Sequence, residues 1–407
     1  MSAKSLLLPG AEQQGRIDCE SQNTKLTNLL SMEDLLDRIG GRDLIGWHRQ
    51  QPSLSANVYL DHYRRVLLSG LRDTQVIYLD TNYWVRLRRA ELGQGSLDEA
   101  RLLKALRTSV RAREVLCVSQ LHSLMELAKQ DEASLRVTAS LLDELTEGVA
   151  ISSPDDIVAW ECAEFIRSKL GIDLRDGLCV WTKVGQIHRN SLPFELVPPA
   201  TDAGKQVVLK ASVDFMWNAT FVDLLDRFNW NTRGKLNGDI DPKVLEEVEK
   251  LKLLKMAKGL TRDQVRMNEF SEAVQLHLRP VITAQLREWH IKHRFPNGVG
   301  ALATQLEAIT KEAVSAFREG ALERQLASIA IPVDLYTLYE TTYQRTRALK
   351  TNDWMDWRHA AVALPYCDVF FTERHLAHQL RNELGADKKY GCEVFGNLQD
   401  ALDRLHA

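Results

Sequence analysis

Five acidic residues are placed where they could act together: Asp80, Glu126, Asp353, Asp356 and Glu373. Asp80 ends the apolar run 76–79, which reads as a buried parallel strand. Glu126 lies in the helical pattern "LHSLMELAKQ", just after a second such run, "EVLCVSQ". Asp353 and Asp356 are spaced i,i+3 and so share one face of a helix. Glu373 follows Thr372 directly after the run "DVFF". In a parallel sheet, functional groups gather where strands end and helices begin. Carboxylates packed together there repel, and some stay protonated unless a cation sits among them. Oxygen-only ligands suit Mg²⁺ or Mn²⁺, which keep open positions for water and a phosphate. Such a site can activate a water for in-line attack on a phosphodiester.

Each acid also has a plainer use. An Asp after a strand commonly serves a turn or a helix cap. Glu126 alone suits a solvated helix face, Asp353 competes with Asn352 for an N-cap, and Glu373 alone is surface charge. The joint pattern, with each acid in order at its proper place, singles out the metal site.

The elements that must position these residues follow from the chain's rhythm. Residues 1 to about 25 are polar and loose in character. "SMEDLLDRIG" predicts a helix capped by Ser31 and ended by Gly40, and a second helical pattern covers 58–71. From Asp73, strands alternate with helices: 76–79, "EVLCVSQ", then "GVAISSP" as a third strand. A helix, "DDIVAWECAEFIRSKL", follows under a cap from Ser153 or Asp155. That alternation implies a parallel α/β sheet. It stops near residue 170, and the chain is helical by pattern to about 340. It returns with a helix in "NDWMDWRHAAVAL", strands in "DVFFT" and "CEVFG", and a closing helix, "NLQDALDRLHA". The expected organisation is an N-terminal helical extension over 1–70, an α/β domain split into 71–167 and 345–407, and a helical insertion over 168–344.

Bulk properties bound the rest. A chain of 407 residues is long for one compact unit. Net charge is −3, so polyanion binding must come from a local patch and not from the overall field. No stretch of about eighteen uncharged apolar residues exists, and the N-terminus has no signal-peptide core, so the expected location is the cytoplasm. The six cysteines (Cys19, Cys117, Cys162, Cys179, Cys367, Cys392) have no C-x-x-C spacing and read as buried free thiols.

With these residues in hand, the chain resembles the PIN-domain nucleases over 71–167 and 345–407. The parts that carry the resemblance are "VIYLDTN", "VLCVSQLHSLMEL", "DWRHAAVALPYCD" and "VFFTERHL". It implies a three-layer α/β fold with a central parallel sheet and metal-dependent endonuclease activity, usually on RNA. Carried over, Asp80 matches the first metal ligand, Glu126 the second acid, Asp356 the helix aspartate and Glu373 the last acid. Asn82 and Thr372 match neighbours that orient ligands or water. Two departures stand out: Glu373 replaces the commoner Asp, and the insertion is far larger than a minimal member allows. Asp353 is a fifth candidate ligand. His359, i+3 from Asp356, reads as a helix-packing residue with phosphate contact as the alternative.

Nucleic acid is the implied partner, RNA ahead of DNA, with no membrane and with a homo-oligomer surface as one use for the insertion. From Val85 to Arg113 eight basic residues stand against three acids, beginning right after Asp80. Arg86, Arg88 and Arg89 are candidate phosphate contacts, joined by Arg358 and Arg374. Trp84, Trp354 and Trp357 flank the site and could stack on bases, though tryptophans on such helices usually fill core. "KVLEEVEKLKLLKMAKG" balances its lysines with acids and reads as an amphipathic helix. Two other functions compete. An aspartate-nucleophile phosphatase wants an acid two residues after Asp80, where Asn82 stands. A binding or scaffolding protein of the same fold would have no need of the acids.

Overall fold

The computed structural model describes residues 42–51, 54–174, 178–187, 202–227, 246–250, 258–293, 298–322, 324–343 and 349–406. The expected helix over "SMEDLLDRIG" and most of "KVLEEVEKLKLLKMAKG" lie outside them. In chain order the elements are α1 (Arg42–Arg49), α2 (Ala56–Gly70), β1 (Gln75–Leu79), α3 (Thr81–Glu91), α4 (Leu97–Arg111), β2 (Val115–Val118), α5 (Leu121–Leu127), α6 (Glu132–Thr146), β3 (Val149–Ile151) and α7 (Pro154–Leu170). Then come β4 (Trp181–Lys183), α8 (Asp202–Asn218), α9 (Phe221–Arg227), α10 (Arg262–Ala273), α11 (Arg279–Lys292), α12 (Gly298–Glu319) and α13 (Ala327–Leu338). The chain closes with α14 (Thr351–Tyr366), β5 (Val369–Phe371), α15 (Arg374–His378), α16 (Ala386–Tyr390), β6 (Glu393–Phe395) and α17 (Leu398–His406).

Four strands form the main sheet in the order β2-β1-β5-β6, and every neighbouring pair is parallel. Central position explains why β1 is apolar on both faces. Val76 and Tyr78 point to one side, Ile77 and Leu79 to the other. On the first side these residues join Leu116, Val118, Phe370 and Val394 in one core with Phe165 of α7, Phe270 of α10, Phe317 of α12, Tyr336 of α13 and Trp357 of α14. On the second, Ile77, Leu79, Cys117 and Phe371 pack with Trp84 and Leu87 of α3, Leu106 of α4, Leu142 of α6 and Leu402 of α17. The sheet is thus layered between helices.

Local signals set the helix starts. Ser96 and Glu99 close a capping box on α4, and Ser153, followed by Pro154, caps α7. One expectation changes. The strand from "GVAISSP" is β3, but it pairs antiparallel with β4, from within the expected insertion, in a separate two-stranded sheet. A bridge between Ser119 and Ala150 ties it to the end of β2. Helices α10 to α13, which fall in the expected insertion, share one core with the sheet. The N-terminal helices dock on α8. There Asp214 accepts hydrogen bonds from Tyr59 and Tyr63 and sits 2.8 Å from His48 Nε2. Cys117, Cys162, Cys179, Cys367 and Cys392 are buried free thiols, as expected. Among the described residues no helix is long and apolar enough to cross a membrane.

Candidate active site

Parallel pairing brings the C-terminal ends of β2, β1 and β5 side by side, and each strand reaches a helix N-cap within one or two residues. Asp80 stands at the N-cap of α3 and Glu373 at the N-cap of α15. Gln120 does so at α5. None of the three spends its side chain on a capping bond. Asp80 is buried, and its backbone N–H still continues the ladder to the Phe371 carbonyl at 3.0 Å. Its carboxylate accepts instead from Thr372 Oγ1 at 2.9 Å. Asn82 Nδ2 donates to Glu373 Oε1. The two expected orienting residues, Thr372 and Asn82, thus hold the two acids that end β1 and follow β5.

Asp356, far along the chain on α14, comes close enough to Asp80 for the Asp80 charge to disfavour its ionised form. Burial first, and then Asp80, push the Asp356 carboxyl up to about 8. No hydrogen bond reaches it among the described residues. Burial also raises Asp80, against the lowering effects of His359 and Thr372. Glu373 is raised as well, by burial and by Asp80. Glu126 behaves differently. Burial would raise it, but His359 and the Thr81 hydroxyl outweigh burial and hold it below the usual range.

His359 is the main residue that the sequence reading undervalued. It is fully buried, and its Nε2 lies 2.9 Å from Glu126 Oε2. Burial would lower its pKa, yet the Glu126 bond and the surrounding acids raise it. Its Nδ1 meets the Tyr78 hydroxyl at 2.6 Å and Gln120 Nε2 at 3.2 Å. The Tyr78 hydroxyl in turn lies 3.0 Å from Ser123 Oγ. Beyond Gln120, His122 Nδ1 is 3.2 Å from Gln120 Oε1, and Arg358 Nη1 is 3.2 Å from His122 Nε2. Donor chemistry orients this line. A guanidinium can only donate, so His122 Nε2 accepts and its proton is on Nδ1, given to Gln120 Oε1. Gln120 then presents its amide N–H to His359 Nδ1. His359 keeps a proton on Nε2 for Glu126. With Nδ1 an acceptor, the Tyr78 hydroxyl donates to it as well, and Ser123 Oγ donates to Tyr78.

Tyr78, Thr81, Gln120, His122 and Ser123 were absent from the sequence-based site. One signal was available: a buried Gln is a poor N-cap, and its presence after β2 marks a side chain kept for something else.

Asp353 takes a structural position. It is the third residue of α14, and its Oδ2 accepts from the Lys350 backbone N–H at 2.9 Å. The basic run after Asp80 is largely paired. Arg107 bridges Glu91 and Glu144, Arg101 meets Asp98, Arg89 lies 3.9 Å from Glu99, and Arg88 donates to Gln130. Arg86 alone of the three arginines nearest Asp80 acts on the site, where its charge lowers Glu373. Trp84, Trp354 and Trp357 are buried core and offer no stacking surface. Beside Glu373 a cavity of about 520 Å³ opens between Asn82, Arg86, Arg374, His375 and the Gly396–Leu398 turn.

The donor chemistry suits a hard divalent cation: carboxylate oxygens only, one of them an unbonded, strained Asp356. The side chains are not gathered for one as they stand. Among the described residues no three acidic, histidine or cysteine side chains converge on a single point. Glu126 is turned to His359, and Glu373 to Asn82. No protein family matches the chain, and no curated protein or solved structure does either.

Proposed function

We propose that the protein is a PIN-like, metal-dependent endonuclease that hydrolyses phosphodiester bonds, in RNA ahead of DNA. The observation that carries this reading is the meeting of Asp80 with Asp356 at the C-terminal edge of a parallel sheet. There burial and the Asp80 charge leave Asp356 short of a cation. Asp80, Asp356 and Glu126 would hold Mg²⁺ or Mn²⁺, with Glu373 completing the set. When bound, the ion supplies charge for a phosphate oxygen and lowers the pKa of a water. This chain's own residues do the rest. Thr372 fixes Asp80, His359 and Thr81 keep Glu126 ionised, and Asn82 steers Glu373. Asn82 also offers no acid or base to an aspartyl-phosphate route.

The test is cleavage of single-stranded RNA with Mn²⁺. We expect cutting that stops with EDTA. Asp80→Asn should cost more than the roughly 10–100-fold typical of residues that only support a ligand. An Asp80→Asn protein that cuts as fast as the parent ends the proposal. The scattered orientation of the acids favours a second reading, a nucleic-acid-binding protein of the same fold with little activity. Calorimetry separates the two, since that protein takes up no Mn²⁺.

A further inference from the structure

Arg358, two residues past Asp356 on α14, has no ion-pair partner among the described residues. Its guanidinium is half-buried, with Nε sealed from solvent and unbonded. Nη1 donates to His122, and the ring of Trp354 lies 5.9 Å away. Asp155, at the start of α7, acts on it only from farther off. Cations are rarely left half out of water without an acid, because desolvation is costly. His122 is itself kept neutral, mainly by burial and then by Arg358. It therefore aims the guanidinium without neutralising it.

Strand order gives this cation a place. His122 follows β2 at one edge of the sheet, Asp80 ends β1, and the cavity with Arg86 and Arg374 follows β5 and β6 at the other side. The acids are therefore flanked by cations across about 14 Å, the span of four strands at ordinary spacing. Beyond its bond to His122, nothing so far described in the fold engages Arg358.

We propose that Arg358, aimed by His122, seats a backbone phosphate of the nucleic-acid strand on the β2 side of the acids, while Arg86 and Arg374 receive the same strand on the β5–β6 side. The identity of the polyanion rests on the nuclease reading; the seat itself rests on the unpaired guanidinium. Arg358 is a positioning residue, and its loss weakens binding before it touches chemistry.

The test uses full-length Asp80→Asn protein, so that binding is read without cutting. A short fluorescent oligouridylate is titrated by anisotropy at several salt concentrations, with Arg358 intact, with Arg358→Met and with Arg358→Lys. Arg358→Met should weaken binding about tenfold, the size of one charge-assisted hydrogen bond. It should also reduce the slope of log K against log salt by about one. Arg358→Lys should keep that slope. Thermal unfolding is the control: removing an unpaired buried charge should leave Tm unchanged or raise it. Unchanged binding in Arg358→Met overturns the seat, as does an absence of any binding with Arg358 intact. A fall in Tm for both variants, with binding lost in step, also overturns it by making Arg358 structural. Parent protein that binds through Arg358 but never cuts with Mn²⁺ removes the nuclease reading and leaves the seat in place.

Discussion

Asp356 is the carboxylate that this fold makes least willing to ionise. Its pKa, raised to about 8 by burial and then by Asp80, lies above that of an unfolded aspartate. Its contribution to stability is therefore fully present below about pH 4 and is lost as pH rises through about 8. A cation reverses the balance, because binding requires the ionised form and releases the proton. We expect Mn²⁺ to bind more tightly at pH 8.5 than at pH 6.5. Calorimetry in buffers of different ionisation enthalpy should count close to one proton released at the lower pH; release of none would remove Asp356 from the ligands. Asp356→Asn should raise the metal-free Tm at pH 8.5 and abolish Mn²⁺ stabilisation. His359 gives a second prediction. His359→Ala should cost roughly 10–100-fold in Mn²⁺ affinity, whereas unchanged affinity would return His359 to a packing role. Asp80, Asp356 and Glu373 were legible because each follows or precedes an apolar run in a recognisable order. His359 and Gln120 were not, because Glu126, Tyr78 and Gln120 are brought to His359 only by the pairing of β1 with β2 and the docking of α14.

At the scale of elements, Glu161 shows how a helix start can be served from another helix. The residue before α13, Leu326, has φ +54° and offers no capping side chain. Glu161 of α7 accepts instead from the Ser328 N–H at 3.0 Å, from the Ser328 hydroxyl at 2.6 Å and from the Tyr366 hydroxyl of α14 at 2.6 Å. Glu161→Ala leaves these donors buried and unpaired, and should cost about 2–4 kcal/mol in urea unfolding. Burial raises the Glu161 pKa to about 7 against those same bonds. Its stabilisation is therefore complete below about pH 4.5 and lost as pH climbs through 7. Glu161→Gln should flatten that part of the pH–stability curve; a parallel curve would place the titration elsewhere. Strands β1, β2 and β5 could be read from the sequence because apolar runs buried on both faces carry their own signature. The partner of β3 could not, since a three-residue strand specifies almost nothing about pairing, and β4 came from a stretch whose pattern was otherwise helical. The charge run after Asp80 misled for a related reason: Glu144, which takes up Arg107 and Arg111, lies on α6.

For the whole molecule, the deciding fact is that α10 to α13 and the sheet share one continuous core. Sequence rhythm marked 168–344 as an interruption, because it sees where strands stop but not which apolar faces later meet. Removing that segment would expose Trp354, Trp357 and the Ala360–Ala361 face of α14. We expect a protein lacking 168–344 to be insoluble or molten, and the full chain to unfold in a single calorimetric transition. A folded, soluble deletion protein would show that the sheet and its remaining helices stand without those of 168–344. The sheet order has one more consequence. Asp80 sits between strands from opposite ends of the chain, and both Thr372 and Asp356 are synthesised long after it. Under the proposed nuclease function, a growing polypeptide on the ribosome holds Asp80 without Thr372 or Asp356, and is harmless to the RNA beside it, until α14 and β5 emerge and slot in.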